Sequence, residues 1–120
     1  MDRVREIIFY KNYFWEFYSS VDSKVQEKID FVLDILQTQK YVPQAYVKYI
    51  ENSNGIYEIR ISVRNNEYRI LFFFKDTSLI EGGKIVILGN GFFKKDKKDY
   101  IKAVKKAEMI REEYFEDNKI

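Results

Sequence analysis

Arginines and lysines in the second half of the chain are the side chains best suited to chemistry. Arg60, Arg64 and Arg69 fall within IYEIRISVRNNEYRILFFF (56 to 74), and Lys94, Lys95, Lys97 and Lys98 fall within GNGFFKKDKKDY (89 to 100). A guanidinium fork binds phosphate oxygens in pairs and an ammonium supplies a compact cation, so the two groups together suit a nucleic-acid backbone. The chain has no His and no Cys. Thiolate nucleophiles, disulfides and zinc-thiolate sites are thereby excluded, as is imidazole acid/base chemistry near neutral pH. If the surface is catalytic, one reaction that such a cation cluster can support without imidazole is RNA cleavage through the substrate's own 2′-hydroxyl. That reaction needs a base for the hydroxyl, cations around the crowded phosphorane and an acid for the departing 5′-oxygen, with no metal or other cofactor. A lysine base would need its pKa brought down from about 10.4 by burial or by neighbouring cations.

The same residues also have a plainer reading. Arg60, Arg64 and Arg69 are equally the cross-strand partners of Glu58 and Glu67, because opposite charges often pair on the polar side of a hairpin. The lysine run is equally a solvated connector into a helix, with Asp96 or Asp99 as its cap. Charge distribution favours an anionic partner for the second half. Residues 1 to 55 carry 7 basic and 8 acidic side chains, residues 56 to 111 carry 13 and 7, and residues 112 to 120 carry 1 and 4.

These side chains need a scaffold, and 120 residues with 46% hydrophobic content imply one folded domain over 1–120. VREIIFY (4 to 10) reads as a first strand. A helical pattern from Asn12 to Leu36 breaks near SSVDS, with Asp22 or Ser23 capping the second helix, Ser23 and Gln26 fitting a capping box, and Val25, Ile29, Val32, Leu33 and Leu36 on one stripe. AYVKYI (45 to 50) is expected to add one further turn.

With Asn65-Asn66 as a tight hairpin loop, cross-strand pairs sum to 131, so that Ser62 faces Arg69, Arg60 faces Leu71 and Glu58 faces Phe73. One sheet face then carries Ile59, Ile61, Val63, Tyr68, Ile70, Phe72 and Phe74 and is core; the other carries the three arginines with Glu58, Glu67, Leu71 and Phe73. Glu81-Gly82-Gly83 marks a turn and KIVILGNGF (84 to 92) a strand inside the sheet. Phe92 is assigned to the core and Phe93 left open to base stacking. Tyr100, Ala103, Val104, Ala107, Ile110 and Tyr114 form the stripe of a last helix. The order β-α-α-β-β-β-α implies an α+β fold, an antiparallel sheet with helices mainly on one face. A charged amino terminus and the lack of an apolar run of about 18 residues lead to the expectation of a cytoplasmic protein with no membrane association.

Through IYEIRI, YRILFFF and VILGNGFFKKDKKD the chain resembles the RelE/HigB superfamily of bacterial and phage toxins, in particular its HigB-like, phage-derived branch. The likeness spans nearly the whole chain and implies a RelE/ParE-like fold and a type II toxin. Such a toxin is a ribosome-dependent mRNA endonuclease that inhibits translation and is held inactive by an antitoxin, usually a small helix-turn-helix protein. Operator DNA would be reached only through the antitoxin complex. The resemblance implies catalytic roles for Arg60, Arg69, Lys94 and Lys95, and RNA or phosphate contacts for Arg64, Lys98 and Phe93. Relatives commonly carry Thr-Pro where this chain has Lys98-Asp99-Tyr100, and some use a His or a C-terminal Tyr; a catalytic tyrosine is not assigned here. Two other readings share the resemblance: an inactive domain that only binds antitoxin and operator complex, and a ParE-like gyrase inhibitor.

Overall fold

The structure, a computed structural model, describes residues 2–76 and 82–119. Its elements run β1 (Glu6–Phe9), α1 (Tyr13–Tyr18), α2 (Ser23–Thr38), β2 (Val47–Tyr49), β3 (Tyr57–Val63), β4 (Asn66–Phe74), β5 (Ile85–Phe93) and α3 (Lys97–Asp117). The five strands form one sheet in the order β1-β5-β4-β3-β2. The α+β class is as expected, with one strand more. AYVKYI supplies β2 instead of a helical turn, because buried Val47 and exposed Lys48 alternate along a chain that finds ladder partners on the edge of β3. The sheet is also mixed and not wholly antiparallel. β1 runs parallel to β5, pairing Glu6–Phe9 with Ile85–Leu88.

Helices cover both faces, where the sequence pointed to one. On the first face α1 and α2 deliver Phe14, Phe17, Val25, Ile29, Val32 and Leu36 onto Ile59, Ile61, Ile70 and Phe72. On the second, α3 lays Ala103, Ala107, Ile110 and Tyr114 over Leu71, Phe73 and Ile87. The cause lies in the strands themselves. Leu71, Phe73 and Ile87 alternate onto the face that also carries the charges, and an apolar patch of that size stays in water only at a cost of roughly 1.5–3 kcal/mol per large side chain.

Local signals act largely as read. The Asp22 carboxylate accepts from Val25 N at 3.1 Å and starts α2, and Asp96 accepts from Asp99 N at 2.9 Å and starts α3. Gln26 does not close a capping box; its amide donates to the Tyr18 carbonyl at 2.8 Å and ties α2 to α1. At its other end α2 has no basic residue in its last turn. Buried Arg5, next to β1, fills that need by donating to the carbonyls of Leu36, Gln39 and Lys40 at 2.8–2.9 Å. The turn assigned to Glu81-Gly82-Gly83 begins outside the described residues. Among the described residues no helix is long and apolar enough to cross a membrane.

Candidate phosphate-binding site

The β3–β4 hairpin turns one residue earlier than its asparagine pair implied. Arg64 and Asn65 occupy the loop with φ of +51° and +66°, the left-handed geometry of a two-residue primed turn. Asn66 has already entered β4 opposite Val63. Pairs therefore sum to 129, and Arg60 lies directly across from Arg69. Sliding both strands by one residue each leaves every side chain on its original face, so the face assignment survives while the partners change. Two guanidinium groups placed opposite each other repel, so the arrangement requires an anion between them.

Glu58 is that anion. One of its carboxylate oxygens lies 3.2 Å from Arg60 Nε and 3.4 Å from Arg69 Nε, the latter an ion pair without a directed hydrogen bond. The other accepts from the Tyr100 hydroxyl at 2.6 Å. Arg69 also reaches Glu67 at 3.1 Å and donates to its neighbour's carbonyl, Tyr68 O, at 3.0 Å. Glu58 and Arg69 are 4% and 2% exposed, whereas the Arg60 side chain is one-third exposed. Its Nη1 donates to Gln44 O at 3.3 Å.

Burial first, and then the hydrogen bond to Glu58, holds the Tyr100 phenol well above its ordinary pKa. It is a standing donor that does not act as a base near neutral pH. Glu67 is held below the usual carboxylate range, chiefly by the Ser62 hydroxyl that donates to it and then by Arg69, with Lys94 adding its charge. Lys94 closes the group, its ammonium 5.5 Å from the centre of the Tyr100 ring and its backbone N–H on Glu67 O at 2.8 Å.

Of the residues singled out in the sequence, the fold thus gathers Arg60, Arg69 and Lys94. Arg69 is not the surface group it was expected to be, since β4 is the middle strand and the flanking carboxylates close over it. Arg64 is separated from them. Its turn position directs it to Asp22 at 2.6 Å, on the α1–α2 side. Phe93 also faces that side, stacked on Tyr68 at 5.0 Å with the Lys95 ammonium 5.1 Å from its ring centre. Phe92 points to the α3 side against Tyr100, in line with its core assignment. Lys98 stands exposed on the outside of α3. Sequence reasoning missed Tyr100 as the residue that organises Glu58; its place on the buried stripe of α3 was the available signal.

Strand β5 completes the setting. Ile70 pairs with Gly91 but Phe72 pairs with Leu88, so one extra residue bulges at Gly89-Asn90. The buried Asn90 amide donates to Ala103 O at 3.1 Å and pins the bulge to α3. At Gly91 a Cβ would lie 2.4 Å from the Phe17 ring, so only glycine lets α1 approach this closely.

The result is a small α+β domain of a definite class: a mixed sheet between two helical layers, with a carboxylate-bridged arginine pair and a lysine-rich strand–helix junction. The chain belongs to the family of phage-derived Gp49-like proteins (DUF891), whose sequence profile matches residues 16–112. That family is toxin-like and lies within the RelE/HigB-like toxin superfamily. No curated protein and no solved structure matches the chain.

Proposed function

We propose that this protein is the toxin of a type II toxin–antitoxin pair and cleaves mRNA on the ribosome without a metal, through the substrate's 2′-hydroxyl. The observation that carries this reading is the half-exposed cation set Arg60 and Lys94, held around the buried Glu58–Tyr100–Arg69 cluster. The cluster holds Arg60 at the sheet surface, its side chain one-third exposed, where its guanidinium can offer charge to phosphate oxygens as electrostatic stabilisation of a phosphorane requires. Arg60 and Lys94 then stabilise the transition state, while Lys95, held over the Phe93 ring on the α1–α2 side, stands apart from them. Arg69 and Tyr100 act as positioning residues through Glu58.

The test is growth inhibition on expression, together with primer extension on ribosome-bound mRNA. Arg60→Ala and Lys94→Ala are expected to abolish both while retaining the wild-type circular dichroism spectrum; full toxicity in either variant overturns the assignment. Arg69→Ala is the poorer probe, because it strands a buried Glu58 and unfolds the site. A second reading draws support from the carboxylates that already neutralise both arginines: a binding protein without chemistry, inhibiting gyrase or serving only an antitoxin. DNA breaks with an SOS response mark the first of these, and harmless high expression marks the second.

A further inference from the structure

The charges of α3 are sorted along its length. Residues 97 to 106 carry five lysines and one aspartate, while residues 107 to 117 carry one arginine and five carboxylates. That order runs against the helix macrodipole, which favours anions at the amino end and cations at the carboxyl end. Lys98, Lys102 and Lys106 further repel one another at successive i,i+4 positions. None of the five lysines has a carboxylate within 4.0 Å among the described residues. Local energetics within the chain disfavour this arrangement, and a polyanion laid along the lysines would relieve it.

We propose that the first half of α3 and the end of β5 form a track for single-stranded RNA, leading to the candidate site. Two shallow grooves meet at Lys102. One, of about 420 Å³, is lined by Lys97, Lys98, Ile101, Lys102 and Lys105. The other, of about 590 Å³, has Phe92, Phe93, Lys95, Lys102 and Lys106 in its wall, with Asp99 as its one acidic group. Lysines four residues apart on a helix recur every 6 Å or so, a ladder for successive phosphates. Phe93, 38% exposed and turned to the α1–α2 side of β5, borders the same groove as Lys102 and Lys106 and supplies a ring beside that ladder. Cations that track a backbone beside aromatic faces that accept any base are the general recipe for single strands.

Duplex and membrane fit less well. A duplex buries its bases and leaves the ring idle, and a bilayer requires an apolar helix face, whereas α3 turns its apolar face onto the sheet and exposes Ile101 alone among these lysines. The strand's identity as mRNA rests on the ribonuclease reading; the binding itself does not.

The experiment is fluorescence anisotropy of the purified full chain with a labelled oligouridylate across a salt series. Lys102→Gln/Lys106→Gln is expected to flatten the slope of log K against log salt by about 1.4, from roughly 0.7 per lysine for a single strand. A remote pair, Lys40→Gln/Lys48→Gln, is expected to leave it unchanged. Phe93→Ala should weaken binding roughly fivefold or more at fixed salt with the slope intact, and Phe93→Tyr should restore it. Equal slopes in the two lysine pairs, equal affinity for duplex RNA, or displacement by polyglutamate as effective as by RNA overturns the track. If the slope changes as stated but Arg60→Ala remains toxic, the ribonuclease reading fails alone; if Arg60→Ala is inert but the slope holds, the track fails alone.

Discussion

Replacing Tyr100 with phenylalanine tests whether the Glu58 cluster is held as described. The change removes one hydroxyl from a half-buried ring and leaves the packing against Phe92 in place. The oxygen it abandons belongs to a carboxylate that is 4% exposed and whose other oxygen faces Arg60 and Arg69. A hydrogen bond to a charged acceptor contributes about 1.5–3 kcal/mol. An unfolding entropy near 2.1 cal/mol/K per residue gives about 0.25 kcal/mol/K for this chain, so Tm should fall by roughly 6–12 °C.

The pH dependence supplies a second readout. Because the phenol's pKa is raised on folding, its contribution is complete below the unfolded value of about 10 and is lost as pH rises through the folded value. The gap between wild type and Tyr100→Phe should therefore stay constant to pH 10, on the order of the stated range, and close above it. Glu58→Gln should cost more, about 3–5 kcal/mol, since it leaves the buried Arg69 without its bridging charge. Adding Tyr100→Phe to Glu58→Gln should then cost less than Tyr100→Phe alone. Urea and thermal unfolding measure all three. A Tm for Tyr100→Phe unchanged to within about 1 °C, or strict additivity with Glu58→Gln, refutes the coupling.

Gly91→Ala should destabilise by about 1–3 kcal/mol through overpacking against Phe17, and Phe17→Leu should recover part of that loss in the double variant, as followed by urea unfolding. Asp22 is held below its ordinary pKa, first by the Val25 N–H and then by Arg64. Asn at this position still caps but carries no charge, so wild type should exceed Asp22→Asn in stability above pH 4 or so and lose that lead as pH falls through the depressed value; a lead that does not shrink as acid denaturation is carried to lower pH contradicts the charge as its source.

The legible part of the fold was the part written in periodicity. The α2 stripe, the α3 stripe and the two faces of the β3–β4 hairpin follow from spacing, because side chains alternate on strands and recur each turn on helices whatever surrounds them; the caps were narrowed to Asp22 or Ser23 and to Asp96 or Asp99, and the structure selects Asp22 and Asp96. The hairpin register was not legible, since Arg64-Asn65 and Asn65-Asn66 are both acceptable loops and choosing between them moves no side chain to the other face. β2 was hidden for a different cause: three residues have too little pattern of their own and become a strand only against the edge of β3.

The candidate site divides along the same line. Sequence alone determined which cations exist, that no imidazole or thiol joins them, and that Arg60, Arg69, Glu58 and Glu67 share one sheet face. Tertiary structure decided the rest. It set Arg60 opposite Arg69, brought Tyr100 from 42 residues away onto Glu58, sent Arg64 to Asp22 and closed Glu58 and Glu67 over Arg69. It also supplied, from Arg5 beside β1, the cation that the last turn of α2 lacks. The physical reason is one of range. Backbone geometry fixes which way a side chain points from its neighbours alone, whereas a buried charge is placed only where partners from other elements meet its hydrogen-bonding and charge requirements.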